Sequence, residues 1–105
     1  MLNREDINNV IINIKKITNP KKIFLFGSYA KGEANEYSDI DILVVDDSAK
    51  NKHQIALEIS EKLFPRNYSL DLIVVSPEEI EKKQTLKLDF WIDILKNGKL
   101  LYVRQ

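Results

Sequence analysis

Two six-residue runs, Ile40-Asp41-Ile42-Leu43-Val44-Val45 and Leu70-Asp71-Leu72-Ile73-Val74-Val75, are apolar everywhere except at their second position, where each carries an aspartate. Short runs rich in β-branched residues, with no polar alternation, suit strands covered on both faces. Such strands need helices against them, and the flanking sequence supplies helical spacing. Ile7, Val10, Ile11, Ile14 and Ile17 form one stripe, with Asn3 as N-cap, Glu5 and Asp6 in the first turn, and Asn19-Pro20 as a stop. Ile55, Ile59 and Leu63 form another, for which Asp46-Asp47-Ser48 offers caps and which runs to about Phe64. Ser76-Pro77-Glu78-Glu79 marks a third helix start, with Ser as cap and Pro in the first turn. That helical region is expected to break near Lys83–Thr85 and resume over Leu86–Lys96, with Asn97-Gly98 as a left-handed cap. Ile23–Phe26 reads as a further buried strand, Ser28–Lys31 as a short helix ended by Gly32, and Leu100–Val103 as a closing edge strand. Helices alternating with apolar strands place the chain in the α/β (α+β) class, a small mixed sheet backed by helices.

At 105 residues this is the size of one domain, taken here as 1–105. The absence of cysteine excludes disulfides, thiolate metal sites and a cysteine nucleophile. Sixteen basic and sixteen acidic residues balance, so no direct nucleic-acid binding by bulk basicity is expected. No apolar run approaches the ~18–20 residues a membrane span requires, and MLNREDINNV lacks a signal-peptide core. A cytoplasmic protein with no membrane contact is the expectation.

The chemistry-bearing residues are acids. Asp39 and Asp41 lie two apart on a strand, so both project from one face with Cα atoms roughly 6.6–6.8 Å apart. Two anions side by side at a sheet's core cost several kcal/mol, of the order of a buried charge without a partner, unless a positive charge offsets them. A divalent cation does so, and carboxylate oxygens suit Mg²⁺ or Mn²⁺. If the third strand is a neighbour, Asp71 joins the same face, and three acids can hold two ions ~3.5–4 Å apart, the arrangement of phosphoryl chemistry. Gly27-Ser28 follows the first strand and opens a helix. Its free backbone N–H groups and the Ser28 hydroxyl favour a phosphate there. Ser38, directly before Asp39, either orients that acid or closes the loop, and is placed with Gly27 and Ser28 among the cofactor-binding residues. A phosphate cradle beside a carboxylate cluster points to a nucleoside triphosphate and its metals.

The ordered pattern is Gly27-Ser28, three residues, Gly32, five residues, Ser38-Asp39-x-Asp41, then Asp71 alone in a third apolar strand. It resembles the nucleotidyltransferase superfamily of the DNA polymerase β type, and most of all its minimal nucleotidyltransferase (MNT) antitoxin group. The matching stretches are FLFGSYAKGEANEYSDIDILVV, Phe24–Val45, and LDLIVV, Leu70–Val75. The resemblance implies a polymerase β-like palm fold and two Mg²⁺ (or Mn²⁺) ions held by Asp39, Asp41 and Asp71. It implies Gly27 and Ser28 on the triphosphate, and Asp71 helping to deprotonate the acceptor. It further implies transfer of AMP from ATP to a hydroxyl, a tyrosine of a HEPN-domain ribonuclease toxin in some members. Lys31 stands where many relatives carry arginine and lacks the bidentate fork. Two other functions fit the same pattern less closely: an antitoxin that neutralises by binding alone, and a small-molecule nucleotidyltransferase. Phe90, Trp91, Ile94 and Leu95 fall at helical spacing and read first as core, with an exposed partner-docking patch as the alternative. His53 reads as a surface residue.

Overall fold

The computed structural model describes residues 3–105. Met1 and Leu2, the first two residues of the stretch read above for a signal-peptide core, lie outside the described residues. The elements run α1 (Arg4–Ile17), β1 (Lys22–Phe26), α2 (Gly27–Lys31), β2 (Ile40–Val45), α3 (Lys52–Lys62), β3 (Leu70–Val75), α4 (Pro77–Thr85), α5 (Asp89–Asn97) and β4 (Lys99–Val103). The four strands form one sheet in the order β3-β2-β1-β4. β2 and β3 are parallel, while β1 is antiparallel to both β2 and β4. The sheet is therefore mixed, as expected.

Strand alternation sorts the core into two layers. Ile23, Leu25, Ile40, Ile42, Val44 and Val74 pack with Val10 and Ile14 of α1 and Ile55 and Ile59 of α3. Phe26, Leu43 and Val75 face the other way, onto Ile94 of α5. Sheet cover on both sides explains why β2 shows no polar alternation beyond Asp41: its other five residues are all buried. Asp39 and Asp41 share the parity of Leu43, and Asp71 that of Ile73 and Val75, so all three acids belong to the α5 face.

Several local signals act as read. The Asn3 side chain accepts from Asp6 N–H in a full capping box, and Ser76 accepts from Glu79 N–H with Pro77 in the first turn. Gly32 closes α2 in a left-handed conformation. Others do not. Asp46-Asp47-Ser48 does not cap α3; Asn51 does, accepting from Gln54 N–H at 3.0 Å. Asp46 is instead fully buried, taking hydrogen bonds from Thr18 Oγ1 (2.7 Å), Ser48 Oγ (2.6 Å) and Lys52 Nζ (2.9 Å). Burial alone would raise its pKa. The three donors and the Lys52 charge outweigh that and bring it down to about 2. Asp47 pairs with Arg104 at 2.6 Å, tying the end of the chain to the β2–α3 connection.

The break between the last two helices falls at Leu86–Leu88, where Lys87 adopts φ 54°, so the second piece begins at Asp89. Gly98 is extended (φ −69°, ψ 153°), not left-handed. Its role is space: a Cβ there would collide with the Ile94 carbonyl and sit 3.2 Å from that of Leu25. The chain thus passes from α5 into β4 through a gap only glycine fits.

Candidate active site

The site is built where β2 and β3 begin. Their parallel register sets Asp41 directly beside Asp71, and β1 sets Phe26 opposite Asp41. Phe26 is the last residue of β1, so the following turn passes directly over the Asp41 carboxylate. Gly27 makes that turn at φ 71°, and a Cβ on it would collide with Asp41 Oδ2. Glycine is therefore required twice over, by its positive φ and by its contact with the acid. In the sequence, Gly27 reads as letting a phosphate approach; in the folded chain, it also lets the Asp41 carboxylate approach.

Asp41 is half-buried, and its pKa is raised from 3.8 to about 6. Burial contributes most, followed by the charge of Asp71, that of Asp39, and a hydrogen bond to Asp71. The three acids singled out in the sequence thus influence one another in the fold. Asp39 and Asp71 are exposed. None of the ion pairs among the described residues includes any of the three. Lys31 is tied across to Asp93 of α5 at 3.3 Å. The cluster is an excess of negative charge that no ion pair among the described residues relieves.

Among the described residues no three His, Cys, Asp or Glu side chains already surround a common point as a ligand shell does. Asp41 and Asp71 are nonetheless close enough for the side-chain hydrogen bond that helps to raise the Asp41 pKa. The donor chemistry fits a hard divalent ion: the exposed Asp39 and Asp71 flank Asp41, whose ionisation is suppressed first by burial and then by its two acidic neighbours.

Ser38 lies in the loop before β2. Its Oγ accepts from Asn35 N–H (2.9 Å) and its own N–H donates to the Asn35 carbonyl (3.0 Å), closing a tight turn immediately before Asp39. Tyr29 and Tyr37, which flank the motif in sequence, line a cavity of about 520 Å³ with Asp6, Arg66 and Tyr68, on the α1 side of the sheet. Two features escaped the sequence: the Lys31–Asp93 pair, and the edge-to-face contact of Phe26 with Phe90, with ring centroids 5.9 Å apart. Only the amphipathic spacing of α5 hints at either. His53 is exposed, as read.

Fold and site together define a nucleotidyltransferase. The nucleotidyltransferase domain family model matches residues 7–105, and the chain belongs to that family. It is 37% identical over 82 residues to "Putative protein adenylyltransferase MJ0604" of Methanocaldococcus jannaschii, covering 78% of each chain. Among solved structures its fold is similar to the "putative nucleotidyltransferase" of Sulfolobus solfataricus (TM-score 0.65, 21% identity, 95% of this chain and 79% of that one). It is also similar to a toxin–antitoxin structure with AMP-PNP (TM-score 0.58, 26% identity, 92% and 73%). A third match is a tri-AMPylated Shewanella oneidensis HEPN toxin in complex with MNT antitoxin (TM-score 0.54, 22% identity, 93% and 70%). No helix among the described residues is long and apolar enough to cross a membrane.

Proposed function

We propose that this nucleotidyltransferase transfers AMP from ATP to a tyrosine hydroxyl of a HEPN-domain toxin and so serves as that toxin's antitoxin. The observation that carries the enzymatic part is the in-register pairing of Asp41 with Asp71 beneath Gly27. That pairing joins a carboxylate cluster to a strand-to-helix turn of the kind that takes phosphate. The relative named as a protein adenylyltransferase supports AMP as the group transferred. The AMP-PNP and tri-AMPylated toxin structures support ATP as donor and a HEPN protein as acceptor.

In this reading the backbone N–H groups at Gly27 and Ser28, with the Ser28 hydroxyl, grip the triphosphate. Asp39, Asp41 and Asp71 hold Mg²⁺, which when bound supplies Lewis-acid charge at the phosphoryl oxygens. Ser38 fixes the loop that presents Asp39. The acceptor oxygen attacks the α-phosphorus, the bond to the pyrophosphate oxygen breaks, and the hydroxyl proton passes to the Asp71 carboxylate. Holding both reactants in line accounts for a large share of the acceleration.

The test is label transfer. The purified chain is incubated with Mg²⁺, ATP labelled in its α-phosphate, and the HEPN-domain ribonucleases of the same genome. Tyrosine-linked label on one of them is expected with the wild-type chain and not with Asp39→Asn. No label on any of them, or equal label with the variant, contradicts the proposal. Toxin neutralisation that survives Asp39→Asn in full would instead assign the protection to binding alone.

A further inference from the structure

We propose that Phe90 is the platform on which the base of the bound nucleotide stacks, an inference that rests on the nucleotidyl-transfer reading above. The Phe90 ring meets Phe26 edge to face (5.9 Å between centroids, 89° between planes) and meets Trp91 in the same manner at 5.7 Å. Two perpendicular contacts pin the ring, yet it remains 51% exposed. Full burial of a phenylalanine is strongly favourable, and a pinned ring left half in water forgoes part of that gain.

Its position supplies the reason. Phe26 is the residue before Gly27-Ser28 and the register partner of Asp41. The open aromatic ring therefore stands one ring contact from the strand end that carries both the phosphate-gripping turn and the acids. It stands on the same side of the sheet as those acids, because Phe26 packs with Leu43, Val75 and Ile94 in the α5 layer. With its phosphates at the turn, a nucleotide in the proposed reading has its sugar and base free to extend over this layer, where Phe26 and Phe90 meet. The other exposed apolar side chains nearby, Leu86, Leu88 and Ile92, are aliphatic and offer no π-face. The rim beside Phe90 is the Lys31–Asp93 pair, both side chains 41% exposed, which stays in water when a base covers the ring. Stacking of this kind grips any base, since each has a π-face, so Phe90 supplies affinity and orientation and not choice of base.

The test compares wild type, Phe90→Leu and Phe90→Trp by calorimetric titration with ATP and, separately, with inorganic tripolyphosphate, both with Mg²⁺. Leucine keeps an apolar contact for Phe26 and removes the π-face. Phe90→Leu is expected to weaken ATP about tenfold, the low-to-middle range for loss of one base–aromatic stack, and to leave tripolyphosphate unchanged. Phe90→Trp is expected to bind ATP at least as well as wild type. Equal weakening of both ligands would mean the ring only supports the turn and would overturn the proposal. Unchanged ATP affinity would overturn it too, including the case in which only the KM for a protein acceptor rises. A wild-type chain that binds neither ligand would fail earlier, at the nucleotide reading itself.

Discussion

Asp41→Asn is expected to lower nucleotidyl transfer by about 10³-fold and, in the same protein, to raise stability at pH 8. The first effect follows from removing the carboxylate at the centre of the cluster while keeping its shape. The second follows from linkage. The folded-state pKa of Asp41 is about 6 against an ordinary 3.8. Folding therefore favours the protonated acid, and the stability this contributes is fully present below pH 3.8 and is lost as pH rises through 6. Asparagine mimics the neutral form at every pH. The shift corresponds to about 3 kcal/mol at most, and partial exposure of the group reduces this to about 1–2 kcal/mol. Thermal melts should show Asp41→Asn more stable than wild type by several degrees at pH 8 and equal to it at pH 4. Saturating Mg²⁺ should stabilise wild type at pH 8 and close most of the gap. A variant no more stable than wild type at pH 8 would show that the carboxylate carries no penalty.

Gly27→Ala is expected to damage both fold and activity through one methyl group. The left-handed backbone costs an L-residue about 1–2 kcal/mol, and the new Cβ collides with Asp41 Oδ2. Either the turn lifts off the strand end or Asp41 rotates away. A displacement near 1 Å at the chemistry is worth about 10²-fold in rate, so activity should fall by at least that factor. The two costs separate in a double-mutant cycle. In an Asp41→Ala background the oxygen is gone, so the stability cost of Gly27→Ala should shrink to the backbone part alone. An unchanged cost in both backgrounds would mean that the carboxylate does not press on the turn.

The two ends of β2 show how one residue type acquires opposite properties. Asp46, just past its C-terminal end, is wholly buried but has three donors and a lysine, and its pKa falls to about 2. Asp41, near its N-terminal end, is less buried but faces only other acids, and its pKa rises to about 6. Burial raises both, and at Asp46 three donors and a lysine reverse the sign, whereas at Asp41 the neighbouring acids add to it. The satisfied acid joins Thr18 to the start of α3. The frustrated one is a local loss of stability of the kind that functional sites tolerate.

Much of the fold was readable because its signals are local. Ile40–Val45 and Leu70–Val75 are strands at their expected bounds, since an apolar β-branched run needs no tertiary information to be recognised. Asn3 and Ser76 cap as read, because an N-cap bonds to an N–H three residues away. The failures are tertiary. Asp46-Asp47-Ser48 has a cap's composition, but Thr18, Lys52 and Arg104 claim its carboxylates from 28, 6 and 57 residues away. Gly98 looks like a left-handed cap and is a clearance glycine against Ile94 and Leu25.

The site divides in the same manner. The acids were visible as breaks in apolar runs, and the parallel pairing of β2 with β3 is what sets Asp41 beside Asp71. Ser38's loop role, the approach of Gly27 to Asp41, and Phe90's contact with Phe26 depend on chain crossings that spacing does not encode. The helical stripe containing Phe90 read first as core. Ile94 is indeed core, while Phe90 is half in solvent on the site's side of α5.

The most direct measurement is a crystal structure of the chain grown with Mn²⁺ and a non-hydrolysable ATP analogue, with data collected for manganese anomalous scattering. The account predicts anomalous density in contact with carboxylate oxygens of Asp39, Asp41 and Asp71, and the analogue's phosphates against the backbone of Gly27 and Ser28. Manganese bound away from these three acids, or a triphosphate remote from that turn, would contradict it.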